Sequence, residues 1–276
     1  MRFPIPFTKM SGSGNDFIVI DHRQPFLDRD LLASFAKAVC RRKFSVGADG
    51  LILIETSTEA DFAWTFLNGD GSVAEMCGNG ARCAARFAYL NGIAPARMRF
   101  KTLAGIIEAE IVDHGVKLKM TTPQGLEMGK MLAVAGTEQE VHSLNTGVPH
   151  AVVFTDDAQT VPVFDWGRII RQHAHFQPAG TNANFVQVLG ENDLHVRTYE
   201  RGVEDETMAC GTGAVASAII AALSGRVNPP IKVITSGGEP LVIHFARPDN
   251  GQPPGEVYLE GAARIIYQGQ LNAEAM

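Results

Sequence analysis

The sequence is short of cysteine, of surplus positive charge and of long apolar runs, and each shortage removes a class of protein. No stretch approaches the roughly 18 consecutive apolar residues that a membrane helix needs. The start, Met1-Arg2-Phe3-Pro4-Ile5-Pro6, holds two prolines and no apolar segment of signal-peptide length. The expectation is a cytoplasmic protein with no membrane segment. Lys and Arg number 24 against 30 Asp and Glu, a net charge of -6, which lacks the basic surplus that neutralises phosphates, so no nucleic-acid partner is expected. Four cysteines in 276 residues are too few for a disulfide scaffold, and Cys40, Cys77, Cys83 and Cys210 include no C-x-x-C pair. The one close histidine pair, His173 and His175, reads as a helix end, so no metal is expected. Any cysteine that matters therefore acts as a reduced thiol. What remains is an ordinary globular composition, 45% apolar and 20% charged, at two-domain length.

The chain repeats itself. A shift of 133 positions lays the sixteen residues from Cys77 to Gly92 on those from Cys210 to Gly225 with eight identities, and the same shift pairs Thr65-Phe66 with Thr198-Tyr199 and Gly69 with Gly202. A weaker echo, at another offset, joins Gly12-Ser13-Gly14-Asn15-Asp16-Phe17 to Gly180-Thr181-Asn182-Ala183-Asn184-Phe185. Chance explains the second match tolerably and the first poorly. The reading is two copies of one domain, residues 1–122 and 123–264, with a C-terminal strand at about 265–276 returning to the first half and the boundary near Thr121-Thr122-Pro123-Gln124-Gly125.

Each repeated segment predicts a helix that starts at its cysteine and stops at a capping glycine, Gly92 or Gly225. From Gly211 to Leu223 the residues are small and apolar on every side, as in a helix surrounded by protein. Short strands are predicted around these helices: Asp16–Asp21, Leu51–Glu55, Phe62–Leu67, Arg97–Leu103, Ile106–Val112 and Val116–Met120, then Ala151–Phe154, Phe185–Leu189, Leu194–Glu200, Ile231–Thr235 and Leu241–Phe245. Further helices are predicted at Leu31–Val39 and Asp165–His173. The fold class is α+β, two pseudo-symmetric domains, each a curved, mostly antiparallel, barrel-like sheet wrapped around a buried central helix.

A thiol at a helix N-terminus lies near the positive end of the helix dipole and near unshared N–H groups, which favour its thiolate. Gly78-Asn79-Gly80 and Gly211-Thr212-Gly213 remove bulk so that an anion can approach those N–H groups. One carboxylate held between two such helix starts would place its α-carbon between two sulfurs. One cysteine then removes the α-proton as a base, and the other returns a proton as an acid on the opposite face. Cys40 and Cys83, without the glycine pattern, read as buried packing residues.

Several segments in order are similar to diaminopimelate epimerases. They are Ser11-Gly12-Ser13-Gly14-Asn15-Asp16-Phe17, Gly47-Ala48-Asp49-Gly50, Asn68-Gly69-Asp70-Gly71-Ser72 before Cys77-Gly78-Asn79-Gly80-Ala81-Arg82-Cys83, Pro149-His150, Thr181-Asn182-Ala183-Asn184-Phe185, and Tyr199-Glu200-Arg201-Gly202-Val203-Glu204 before Ala209-Cys210-Gly211-Thr212-Gly213. The resemblance implies an amino-acid epimerase that interconverts LL- and meso-2,6-diaminopimelate for lysine and peptidoglycan synthesis. It also implies a homodimer and no cofactor. Carried over by position, Cys77 and Cys210 are the acid and base. Asn15, Asn68, Gly78, Asn79, Asn182, Glu200, Arg201, Gly211 and Thr212 hold the substrate, with Arg201 on the distal carboxylate, and His150 and Glu200 support activity. The chain departs from many members at Val148, where they carry Asn, and at Gly50, where they carry Gln. Proline racemases and hydroxyproline epimerases also resemble it, but typically show histidine where Asn79 stands, and phenazine-type isomerases lack the cysteines. A non-catalytic amino-acid binder, or a thiol redox sensor with Cys77 and Cys210 as its switch, is the reading from a different class.

Overall fold

The computed structural model describes residues 2–248 and 251–276. The elements of the first half are β1 (Ile5–Gly12), β2 (Asn15–Asp21), α1 (Leu32–Val39), β3 (Gly50–Glu55), β4 (Phe62–Asn68), α2 (Gly78–Leu90), β5 (Arg97–Thr102), β6 (Gly105–Val112) and β7 (Gly115–Lys119). The second half holds β8 (Gln124–Val134), β9 (Thr137–Asn145), β10 (Pro149–Phe154), α3 (Val163–Gln172), β11 (Asn182–Val188), β12 (Asp193–Glu200), β13 (Asp205–Thr207), α4 (Gly211–Leu223), β14 (Ile231–Thr235) and β15 (Pro240–His244). β16 (Tyr258–Ala262) and β17 (Arg264–Leu271) close the chain. Residues up to Leu118 together with Gly261–Met276 form one compact unit, and Lys119–Glu260 form the other. β17 runs antiparallel to β1, from Ile5 opposite Leu271 to Ser11 opposite Arg264.

The strand pairings explain the repeat. In the first unit β1 and β2 are antiparallel, β2 and β3 parallel, β3 and β4 antiparallel, β4 and β5 parallel, and β5 and β6 antiparallel. In the second unit the same alternation runs through β9, β10, β11, β12, β14 and β15. β4 therefore corresponds to β12, in agreement with the 133-residue shift. The weaker echo does not survive this test, because it joins the start of β2 to the start of β11, whereas β11 corresponds to β3. Both are glycine- and asparagine-rich entries into a strand. The first is a hairpin with Ser13 and Gly14 at positive φ, and the second follows a short helical turn.

Each unit wraps its sheet around one helix. α4 packs on β9, β10, β11, β12, β14 and β15, and from Gly213 to Ala222 every residue is buried. Only small side chains let so many strands approach one helix, which is why Ala recurs on all its faces. α2 packs on β1, β2, β3 and β6 and buries nine of its thirteen residues, among them Arg82 with no exposed surface. Both helices end alike: Gly92 and Gly225 take φ of 64° and 72°. Ile93 N–H donates to Ala88 O at 2.8 Å and Arg226 N–H to Ala221 O at 3.0 Å, the doubled bond of a left-handed glycine cap.

The sequence pattern misses β1, β8, β9, β13 and β16. Pro6 interrupts the strand signal in β1 but lies where only β17 pairs with it, because the β2 ladder begins at Thr8. β8 is exposed along most of its length, so it carries no period-2 apolar pattern. Its Gly125 and Gly129 sit at positive φ where the register with β9 slips. Ala218, wholly buried in α4, tests the close approach: Ala218→Leu is expected to destabilise the protein by about 1–3 kcal/mol through overpacking, read as a lower urea midpoint with an unchanged slope.

Candidate active site

Each central helix begins at the residue after its cysteine, and the cysteine is the N-cap. Cys77 (φ -146°, ψ 118°) and Cys210 (φ -113°, ψ 106°) have extended backbones, and neither side chain caps its helix. Their carbonyls accept the first helical bonds, from Ala81 N at 2.8 Å and Ala214 N at 2.9 Å. The N–H groups of the first turn have no partner within a helix, so both helix starts offer donors beside a sulfur. No disulfide joins any of the four cysteines.

In the first unit a chain of hydrogen bonds fixes the residue after Gly78. The buried Arg82 guanidinium can only donate, and its Nη2 meets Asn79 Oδ1 at 2.9 Å and Ser13 Oγ at 2.8 Å. Asn79 must therefore turn its Nδ2 to Asn15 Oδ1, at 2.8 Å, and Asn15 its Nδ2 to Asp49 Oδ2, at 2.9 Å. Asp49 also faces Arg42 at 2.9 Å, and Arg42 bonds Asp16 at 2.6 Å, where Lys9 approaches to 2.7 Å. Burial acts to raise the Asp16 pKa, but the Arg42 and Lys9 hydrogen bonds outweigh it and hold the carboxyl down at about 2. Asn15 and Asn79 are thus brought together, each amide keeping one N–H hydrogen beyond this chain. Asn68 ends β4 opposite Gly50, is exposed, and donates its Nδ2 to Ser72 Oγ at 2.9 Å.

In the second unit His150 opens β10 opposite Asn182 on β11, and neither is exposed. Asn182 Oδ1 accepts from Arg201 N at 2.6 Å, and Arg201 donates Nη1 to Ala179 O at 2.8 Å. Thr212 Oγ1 lies 3.5 Å from Cys210 Sγ, and its carbonyl accepts from Thr146 Oγ1 at 2.9 Å. A Cβ on Gly213 would overlap Asn184 Oδ1 and lie 3.3 Å from both Cys210 Sγ and His150 Cε1. His150, Asn182, Arg201, Cys210, Gly211 and Thr212 therefore share one neighbourhood, and Glu200 is close enough for its charge to act on Cys210.

Two expectations change. The helix start does not give Cys210 a low pKa: burial, then the Glu200 charge, push the thiol up to about 12 against the Thr212 hydroxyl and the N–H groups of Gly213 and Thr212. Desolvation outweighs the dipole because the cap is inside the protein. The glycines also do more than admit a ligand. Space is open beside Gly78, but Gly213 is needed by its own neighbours and Gly80 fits against Ile52 and Phe17. Burial also raises the Glu200 carboxyl pKa, against the Thr207 hydroxyl. Gly50, where many relatives of the resemblance carry Gln, holds the Phe66 ring 2.6 Å from where a Cβ would be.

Sequence reasoning gave no role to Ser13, Asp49, Arg82 or Asn184, although all four lie inside the quoted motifs. Each acts through another side chain, and spacing along the chain does not show such a relay. Among the described residues no group of three or more His, Cys, Asp or Glu could hold a metal. His173 Nδ1 accepts from His175 N, and His175 faces Glu127 at 2.8 Å.

Two sheet-wrapped helices, each opening on a cysteine cap and unshared N–H groups, define a two-domain isomerase fold. Solved structures with this fold include a hydroxyproline epimerase from Agrobacterium vitis with bound trans-4-hydroxy-L-proline, TM-score 0.67 at 15% identity over 99% of this chain and 94% of that one. A phenazine biosynthesis protein from Bacillus anthracis gives TM-score 0.71 at 13% identity, covering 98% and 100%. The sequence model of the diaminopimelate epimerase family matches residues 7–126 and 142–266. Diaminopimelate epimerases from Aquifex aeolicus and Archaeoglobus fulgidus are 49% and 43% identical, over 98% and 97% of this chain and 99% and 96% of their own lengths. The chain belongs to the diaminopimelate epimerase family, and it is an epimerase.

The charge cluster under the first helix start has a pH signature. Asp16 has a folded pKa below its ordinary value, so its contribution is present above about pH 4 and fades as pH falls toward 2. Asp16→Asn is expected to cost about 1–2 kcal/mol at pH 7, after allowance for solvent screening. Urea unfolding should show the gap to wild type narrowing to about half by pH 3 and closing near pH 2, and a gap constant across that range would show that the carboxylate is not the source.

Proposed function

We propose that this protein interconverts LL- and meso-2,6-diaminopimelate without a cofactor, with Cys77 and Cys210 as the acid and base. The observation that carries this reading is that both copies of the duplicated helix are capped by a cysteine, in a chain that matches its family over nearly its whole length. The thiolate of one cysteine takes the α-proton, and the thiol of the other delivers a proton to the opposite face; the roles reverse for the other stereoisomer. The N–H groups of Gly78, Asn79, Gly211 and Thr212 receive the α-carboxylate and stabilise the charge that spreads onto it as the carbanion forms. A high pKa suits Cys210 to the acid role, since its thiol stays protonated at neutral pH. Asn15, Asn68 and Asn182 hold the polar ends, and the Arg201 guanidinium, fixed by Ala179 O on one side, meets the distal carboxylate. The working form is a cytoplasmic homodimer that supplies precursors of lysine and peptidoglycan.

Proton NMR in D2O tests the chemistry. Loss of the α-hydrogen signal of LL-diaminopimelate is expected with reduced enzyme alone, and none with L-proline. Cys77→Ala and Cys210→Ala are each expected to lower epimerisation by about 100-fold to 10,000-fold; near-normal turnover in either would sink the two-thiol scheme. Arg201→Ala should erase the preference for a substrate with a second carboxylate, measured as the ratio of kcat/KM between diaminopimelate and a neutral amino acid. An unchanged ratio would place the distal ligand elsewhere.

A further inference from the structure

Asn184 is wholly buried, and every polar group it meets has a fixed hydrogen-bonding direction. Its side chain approaches Ala151 O at 2.8 Å, and a carbonyl oxygen only accepts, so that atom is Nδ2. Oδ1 then accepts from Thr198 Oγ1 at 2.9 Å. The same Nδ2 lies 3.1 Å from His150 Nδ1. An amide N–H can only donate, so His150 Nδ1 is the bare nitrogen and Nε2 carries the hydrogen. That Nε2 is buried and has no hydrogen-bond partner among the described residues, although buried donors are nearly always paired.

We propose that Asn184 is a positioning residue that locks His150 as the neutral Nε2–H tautomer, so that the imidazole beside Cys210 serves as a hydrogen-bond donor to negative charge and not as the base that deprotonates the thiol. The inference rests on the proposed two-thiol chemistry. Its physical content is the closing of both routes to a base: one ring nitrogen is engaged by the Asn184 N–H, and the other already holds its hydrogen. An Nε2–H also cannot accept a hydrogen bond from a substrate ammonium, so its partner is an acceptor, and the acceptor assigned to it here is the Cys210 thiolate that forms during turnover. Burial agrees with a neutral ring, holding its pKa down to about 3. Across the neighbouring strands the ring's residue faces Leu144 on β9 and Asn182 on β11. The titratable or charged groups around it are Cys210 at the start of α4 and Arg201 beyond β12, whose positive charge also disfavours the imidazolium. Gly213 belongs to the device, because any side chain there would displace Asn184 Oδ1.

Long-range proton–nitrogen correlation spectra of the full-length protein labelled with 15N-histidine read the tautomer directly, with His150 assigned by its absence in His150→Gln. The expected spectrum has Nε2 protonated and Nδ1 bare, unchanged from pH 5 to pH 8. Asn184→Asp, nearly the same shape, should move the hydrogen to Nδ1, lower kcat by about 100-fold and leave KM within about threefold. His150→Gln keeps an N–H donor near the place of Nε2 and should retain about a tenth of kcat or more, whereas His150→Leu should fall by about 100-fold. A wild-type ring protonated on Nδ1, a ring that titrates between pH 5 and 8, or equal loss in His150→Gln and His150→Leu would each overturn the proposal. The wild-type spectrum stands even if Asn184→Asp does not fold. Failure of the two-thiol reading would show separately, as absence of α-proton exchange by the unaltered enzyme.

Discussion

The structure depends on one constraint, a helix start in each unit whose N-cap is a cysteine. Most helices meet their first N–H groups with Ser, Thr, Asp or Asn at the N-cap, an exchange worth about 1 kcal/mol. Here both central helices place a cysteine at that position, whose sulfur is a weak acceptor; at the second start it draws on the N–H groups of Thr212 and Gly213. The donors it does not take are left for something else, and the surrounding sheet must tolerate them. The sheet does so by being held elsewhere: glycine caps at both C-termini, small residues along α4, and strand pairings that repeat in the same order in each unit.

Around these two starts the fold is symmetric and the electrostatics are not. Under the first lies a run of paired charges, Lys9, Asp16, Arg42 and Asp49, which fixes the direction of two amides, Asn15 and Asn79. Beside the second, direction is fixed by a neutral amide, Asn184, and the acid whose charge acts on Cys210, Glu200, is itself held toward its neutral form by burial. A reaction that needs an acid and a base at the same moment, as proposed for these two thiols, needs them in different surroundings. Duplication followed by divergence of the supporting residues, with the cysteines kept, supplies that difference without a change of backbone.

The repeat, the two central helices and most strands were legible because each leaves a periodic trace: identity at a fixed shift, apolar residues on all sides of α4, alternation in β5. β8 left none, since an exposed strand has no buried face to pattern. The cysteines at the helix starts were legible from the repeat, and the residues expected to face a substrate were named from motifs that resemble a family. The relays were not. Arg82, given no role from the sequence, is wholly buried and holds Asn79 and Ser13. The raised pKa of Cys210 was equally hidden, because a helix dipole can be inferred from chain order whereas desolvation depends on what folds over the sulfur.

The paired glycines show how one sequence pattern can carry two physical reasons. Gly-x-Gly after each cysteine reads as room for an anion, and at Gly78 the room is there. At Gly213 the same letter answers an internal demand, since Asn184 Oδ1 occupies the space a methyl group would take. Substitution at the two positions should therefore act on different things: at Gly78 on what enters from outside, and at Gly213 on the amide that sets the direction of His150. Identity across the repeat preserves the backbone of a helix start; the purpose that backbone serves is decided by the residue standing opposite it.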